Sequence, residues 1–378
     1  MIGDNSSSTH PPLPPTTEDD RFNRLRLLRS RRVGPATYRR LLSEHGSASA
    51  ALDALPDIAR AAGVPDYSVC PEAVIAAEMK AARSAKATLL FAGERDYPSA
   101  LAEIDDAPPV LWTIGVRAAL HRPLIALVGA RNGSSLGTRM AEKLGRELSE
   151  AGMTIVSGLA RGIDAAAHRA SLDAGTVAVM AGGADVIYPA ENTDLARAIP
   201  KSGLRLSDQP MGQTAQARHF VARNRIISGM SLATVVIEAA AKSGSLITAR
   251  IALDQGRDVL AVPGHPFDAR VSGCNMLIRD GAVLVRGTQD ILDHLESVLP
   301  TAAPELPLDA PEQPTRALRD TPVLHEEILA RLSPTPIAED QLIRQLQAAA
   351  DAVAPALMDL EIDGRIVRQA GGLLARVD

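Results

Sequence analysis

The segment LIALVGARNGSSLG (residues 124–137) decides the fold. An unbroken apolar run, 124–128, leads into a turn of small and polar residues, 129–133, and then into the helix-period stretch TRMAEKLGRELSEAG (138–152). A strand that is apolar at every position, rather than at alternate ones, is buried on both faces, the pattern of a parallel sheet covered by helices. The same order recurs at MTIVSG (153–158), TVAVMAG (176–182), ATVVIE (233–238), DVLAVPG (258–264) and AVLV (282–285), with helical segments such as SLITARIALDQG (245–256) between them. The fold class is therefore α/β, a doubly wound, mostly parallel sheet.

Around this block, composition marks further boundaries. Residues 1–20, MIGDNSSSTHPPLPPTTEDD, are polar and rich in Pro, Ser and Thr, and are expected to form a disordered tail. Residues 21–85 read as short-looped helices, a small helical domain, and 86–299 hold the α/β block. A proline-rich linker is expected over 300–317. Residues 318–378 read as three short helices followed by the strands RIVRQ and LLARV around Gly371-Gly372, the order of a winged helix. The 378-residue chain is long enough for two or three domains. No apolar run of about 18 residues is present and the first residues lack a secretory pattern, so a cytoplasmic protein is expected. The two cysteines, Cys70 and Cys274, fit neither a disulfide framework nor a metal site, and no metal or cofactor is expected.

Ligands of open α/β sheets collect at the carboxyl ends of the strands. Here those ends read Gly129-Ala130-Arg131-Asn132-Gly133, Ser157-Gly158-Leu159-Ala160-Arg161-Gly162, Ala181-Gly182-Gly183, the stretch from Glu238 to Lys242-Ser243-Gly244-Ser245, and Pro263-Gly264. Small residues admit a ligand close to the backbone, and helix N-termini offer free N–H groups to an anion. The dinucleotide fingerprint is incomplete, because Arg131 stands where a pyrophosphate needs bare backbone, and there is no P-loop. Asp164 and His168 lie one helical turn apart and have the chemistry of an acid–base pair. Capping of a helix start by Asp164 and packing of His168 account for them equally well. No nucleophile elbow, zinc-protease motif or paired-carboxylate constellation occurs.

The net charge is −5, yet no acidic residue falls between Asp208 and Glu238. Inside that gap ARHFVARNRIISGMS (217–231) carries Arg218, His219, Phe220, Arg223, Asn224 and Arg225. One ring among arginines is the least that stacks a base while guanidiniums hold phosphates. Single-stranded nucleic acid and anionic small molecules such as nucleotides both fit these residues.

Taken with VGARNGSSLG, IVSGLARGIDAAAHRAS, IYPAEN (187–192), HFVARNRIISGMS, SGSLITARIALDQGRDVLAVPG and GCNMLIRDGA, the chain resembles the bacterial DNA-processing DprA (Smf) family from about Arg21 onward. The resemblance implies a helical N-terminal domain of sterile-alpha-motif type, an extended Rossmann-like domain that binds single-stranded DNA, and a C-terminal winged helix. It also implies a homodimer through the Rossmann-like domain, protection of incoming strands during natural transformation, loading of the RecA recombinase, and no catalytic turnover. DNA contacts carry over to Arg131, Phe220, Arg223, Asn224 and Arg225, and then to Lys242. Gly129, Gly158, Ser243 and Ser245 in the surrounding turns complete the expected DNA-binding set. Many members have a basic residue where this chain has Ala190, so no contact carries over there.

Two further readings follow. From Thr321 to Asp378 there are nine acidic residues, five arginines and no lysine, and the expected recognition helix carries Asp351, Asp359, Glu361 and Asp363 with nothing basic. Such a helix repels a phosphate-lined groove, so this winged helix is expected to serve protein contact or regulation. The alternative for the whole chain is a Rossmann-like nucleotide-binding enzyme of the nucleoside monophosphate phosphoribohydrolase type. Its P-G-G-x-G-T-x-x-E loop is missing, since Gly182-Gly183 is followed by Ala184-Asp185.

Overall fold

The computed structural model describes residues 14–298 and 321–377, apart from 349 and 370. Residues 1–13 of the expected tail and all of the expected linker, 300–317, lie outside the described residues. The chain divides into two units, Met1–Pro300 and Thr301–Asp378.

The first unit begins with α1 (Glu18–Arg29), α2 (Pro35–His45), α3 (Ala48–Ala61) and α4 (Glu72–Ser84). Helix α1 starts inside the stretch expected to be tail. The Thr17 hydroxyl accepts the Asp20 N–H at 3.1 Å, and Glu18, Asp19 and Asp20 occupy the first turn. Carboxylates there are stabilised by the helix dipole, so an acidic run that resembles tail composition is a helix start. Helix α2 opens at Gly34-Pro35 and closes on Gly46 at φ 72°, a left-handed cap suited to glycine. Tyr38, Leu41 and Leu42 of α2 then pack with Leu52 and Leu55 of α3.

Along the chain follow β1 (Thr88–Phe91), α5 (Ser99–Ala102), β2 (Val110–Gly115), β3 (Leu124–Val128), α6 (Ser135–Glu150), β4 (Thr154–Ser157), α7 (Ile163–Ala170), β5 (Thr176–Val179) and α8 (Thr193–Ala198). The unit continues with β6 (Leu204–Ser207), α9 (Ala217–Gly229), β7 (Ala233–Val236), α10 (Ser245–Asp254), β8 (Asp258–Ala261), α11 (Ser272–Arg279), β9 (Val283–Leu284) and α12 (Thr288–Val298). The strands form one nine-stranded sheet in the order β1-β2-β6-β5-β4-β3-β7-β8-β9. From β6 to β9 every pairing is parallel, while β2 joins β6, and β1 joins β2, in antiparallel register. Alternate residues of β3 enter opposite cores, which is why its sequence is apolar throughout. Leu124, Ala126 and Val128 pack with Ile226, Ile227, Ala249 and Ala252, and Ile125 and Leu127 pack with Leu144, Leu148, Ile163 and Ile291.

Strands β1, β2 and β6 do not appear among the apolar runs read from sequence. In β6, Arg205 interrupts the run although it is 9 % exposed, with the Asp185 charge nearby. Strands β1 and β2 bring the helical block onto the sheet. Leu25, Ile75 and Ala82 of α1 and α4 share a core with Leu89, Phe91, Val110 and Trp112. Within it the Glu78 carboxylate accepts Trp112 Nε1–H at 2.7 Å and pairs with Arg29 at 2.9 Å.

The second unit contains α13 (Thr321–Arg331), β10 (Ile337–Ala338), α14 (Glu339–Leu346), α15 (Ala350–Ile362), β11 (Ile366–Gln369) and β12 (Leu373–Arg376). Its sheet runs β10-β12-β11, and Ile328, Leu342, Val353, Leu357, Leu360 and Leu374 form its own core. This is the winged helix read from sequence, with the two-residue β10 added. Gly371 and Gly372, at φ 86° and 72°, turn the β11–β12 hairpin.

The Glu78 junction is testable through the single tryptophan. Glu78→Ala leaves a buried indole N–H without its acceptor and removes the carboxylate from the partly buried Arg29, and is expected to cost about 1–3 kcal/mol. Denaturant unfolding followed by Trp112 fluorescence measures this; an unchanged midpoint would show that the junction contributes nothing.

Candidate nucleic-acid interface

Sheet order reverses between β3 and β7, whose onward connections travel to opposite edges. The carboxyl ends of these neighbours bound the crevice where open α/β sheets bind ligands. A cleft of about 960 Å³ lies there. Its walls include Gly129, Arg131 and Asn132 from the turn after β3, Phe220, Arg223 and Asn224 from α9, and Lys242, Ser243 and Ser245 from the turn after β7.

Glycines shape the floor by yielding space to side chains. A Cβ on Gly129 would lie 2.7 Å from Ile163, and one on Gly158 would fall inside the Arg223 guanidinium. Gly129 lines the cleft, and Gly158 lines an adjoining hollow of about 330 Å³. The turn after β3 is anchored by the Ser134 hydroxyl, which accepts Gly137 N–H at 3.0 Å and caps α6. Ser134 N–H in turn donates to both oxygens of Glu238 at 3.1 Å, and its hydroxyl lies 2.5 Å from Glu238 Oε2. Across the cleft Ser243 Oγ and Ser245 Oγ are 2.6 Å apart, closing the turn that begins α10.

Arg131 is exposed, and its Cζ stands 5.2 Å from the Phe220 ring centroid. Tyr188 meets the same ring edge-on at 5.4 Å and is half exposed. Neither Arg131 nor Lys242 has a carboxylate partner among the described residues. Phe220 and Asn224 are four positions apart on α9, so both look into the cleft. Tyr188 was not among the residues singled out from sequence. Its signal was the IYPAEN segment in a chain with only four tyrosines.

The other arginines of the acid-free strip are placed differently. Arg223 is 5 % exposed and donates to the Val179 carbonyl at 2.7 Å. Burial lowers its guanidinium to about 10, opposed by the Asp164 charge. Burial likewise raises Asp164, opposed by Arg223 and by N–H donation from Gly158 at 3.1 Å and Ala160 at 3.4 Å. Arg225 binds Asp208 at 2.8 Å and also pairs with Asp106, outside the cleft lining. The strip is acid-free in sequence only, because carboxylates from other elements neutralise part of it.

His168 is fully buried, with Nδ1 2.8 Å from Thr176 Oγ1, and does not line the cleft beside Asp164. Cys70 and Cys274 are buried and free. Among the described residues no group of His, Cys, Asp and Glu is arranged to hold a metal, and no helix is long and apolar enough to cross a membrane.

By fold and site the chain is a Rossmann-like α/β protein that also carries a winged helix. Residues 88–296 match the family model described as DNA recombination-mediator protein A. Residues 18–81 match the DprA-like N-terminal HHH domain, and 310–372 the DprA winged helix domain. Protein Smf of Escherichia coli (strain K12) is 36% identical over 289 residues, covering 75% of this chain and 76% of that protein. DNA processing protein DprA of Streptococcus pneumoniae is 45% identical over 202 residues, covering 53% of this chain and 71% of that one. The X-ray structure of the Streptococcus pneumoniae protein superposes with a TM-score of 0.55 at 40% identity, over 59% of this chain and 77% of that chain. A structure of DNA processing protein A from Helicobacter pylori, described for its single-stranded DNA binding mode, gives 0.52 at 28% identity, over 56% and 97%. The chain belongs to the DprA (Smf) family.

The buried His168 makes stability depend on acidity. Burial, with the Arg223 charge, holds its imidazole at about 3 rather than 6.5. Between those values the unfolded chain takes up a proton that the folded ring refuses, so stability falls as pH drops through this window. His168→Gln, which keeps a polar group toward Thr176, is expected to flatten that fall. Urea midpoints across the window check it, and parallel curves for the two proteins would refute the assignment.

Proposed function

We propose that this chain binds single-stranded DNA in the switch-point cleft with little sequence preference. One observation carries the reading: an unpaired arginine lies against the Phe220 ring, with Tyr188 beside it, at the ligand-binding edge of the sheet. Arg131 and Lys242 take backbone phosphates, Phe220 and Tyr188 stack bases, and Asn224 hydrogen-bonds the strand. Ser243 and Ser245 shape the turn beside Lys242, and Gly129 and Gly158 give the floor its depth. Arg223 and Arg225 act from behind, by holding α9 against Val179 and Asp208.

Family membership supports the wider role. The protein shields incoming single strands in natural transformation and recombination and loads RecA onto them. It works in the cytoplasm as a homodimer joined through the Rossmann-like domain, with no cofactor and no catalytic turnover. The winged helix serves protein contact rather than duplex reading. The side chains of Met358 and Ile362 on α15 are exposed, and the wing residue Arg368 pairs with both Glu339 and Glu361.

Fluorescent oligonucleotide titration at several salt concentrations tests the cleft. Phe220→Ala is expected to cost about 1–3 kcal/mol of single-strand affinity, and Arg131→Ala to reduce the log–log salt slope by about 0.7. Duplex should bind more weakly than single strand. Unchanged binding in both variants, or release of base from nucleoside monophosphates, would turn the reading toward nucleotide chemistry. The isolated fragment 318–378 is expected not to retard duplex DNA at moderate salt, and a clear shift would reverse the role given to the winged helix.

A further inference from the structure

We propose a second tract for the same strand, formed by the outer face of α6 and the His265–Phe267 turn. It rests on the strand-binding role proposed for the cleft. A groove of about 750 Å³ lies on the far side of Glu238, which borders both hollows. One wall is α6, with Arg139, Lys143 and Arg146, and the other includes His265. These cations recur at positions i, i+4 and i+7, so they line one helix face over about 10 Å.

All three cations are exposed, and none has a carboxylate partner among the described residues. The groove's own carboxylates are largely engaged. Glu238 is held by Ser134, Glu147 accepts Thr288 Oγ1–H at 2.6 Å, and Asp268 pairs with Arg270 at 2.9 Å. Glu142 and Glu147 are half-buried and Glu238 is buried, so the most exposed charges of the groove are the three cations of α6.

At the rim Phe267 is 94 % exposed. Leaving a phenylalanine in water forgoes the stabilisation that burial of its ring would give. The turn holds its main chain in place: Phe267 N–H donates to His265 Nδ1 at 3.3 Å, and Asp268 N–H to the His265 carbonyl at 2.9 Å. The His265 ring backs it at 5.5 Å. An exposed aromatic face beside a row of exposed cations matches what an unpaired strand offers, bases with open faces on a phosphate chain. In a duplex the bases stack on one another and present no face to Phe267, so the tract selects single strands.

The test titrates full-length protein with oligothymidylates from about 4 to about 16 nucleotides. It compares wild type, Phe267→Ala and the triple variant Arg139→Ala/Lys143→Ala/Arg146→Ala. The shortest oligonucleotides should bind all three proteins alike. The longest should lose about tenfold or more in both variants, and the triple variant should lower the salt slope by about 2 for long strands only. Equal affinity of all three proteins for the longest strand overturns the tract, while short-strand binding sensitive to Arg131→Ala keeps the cleft. An altered sedimentation profile for Phe267→Ala, without a change in long-strand affinity, also overturns it and makes the ring a contact between copies. Failure of wild type to bind the shortest strands removes the cleft reading and the tract with it.

Discussion

The architecture turns on the carboxylate of Glu238, 1 % exposed just beyond β7. A charge so enclosed is tolerable only when its lone pairs are answered, and Ser134 answers them with its N–H and its hydroxyl. That bond ties the end of β7 to the start of α6 and thereby sets the gap between the two lips of the switch point. Gly137 is glycine because a Cβ there would overlap the Glu238 carboxylate. The position of Arg131 in the preceding turn follows from this clamp, as does the placement of α6.

A second principle is the sorting of charge. The cations expected from sequence to contact DNA end in opposite situations. Arg223 is buried near Asp164, and Arg225 is fastened to Asp208, while Arg131 and Lys242 face solvent without a counter-ion. A net charge of −5 is compatible with a positive cleft because carboxylates distant in sequence are consumed by the structural arginines. Asp208 lies at the edge of the acid-free segment and folds back upon it.

What sequence discloses here follows from how local each cause is. The runs of β3, β4, β5, β7 and β8 declare themselves because burial on both faces keeps them apolar apart from small hydroxyls such as Thr154, Ser157, Thr176 and Thr234 and Asp258 at the start of β8. Strand β6 does not, since Arg205 interrupts its apolar run. The start of α1 is hidden by acidic residues that serve as its first turn. In the cleft, Arg131, Phe220 and Lys242 are legible as residue types at strand ends. The burial of Arg223, the diversion of Arg225 and the meeting of Tyr188 with Phe220 depend on tertiary neighbours, which no spacing reveals.

The shared core at Trp112 has a consequence for how such a chain changes over evolutionary time. Leu25, Ile75 and Ala82 complete a layer that also contains Leu89, Phe91 and Val110, so the N-terminal helices are part of the sheet's own interior. Their loss would leave an open apolar wall and an unmatched indole N–H. The winged helix closes a core of its own. The N-terminal helices are thus bound to the inheritance of the sheet, whereas the winged helix carries the core it needs within its own residues.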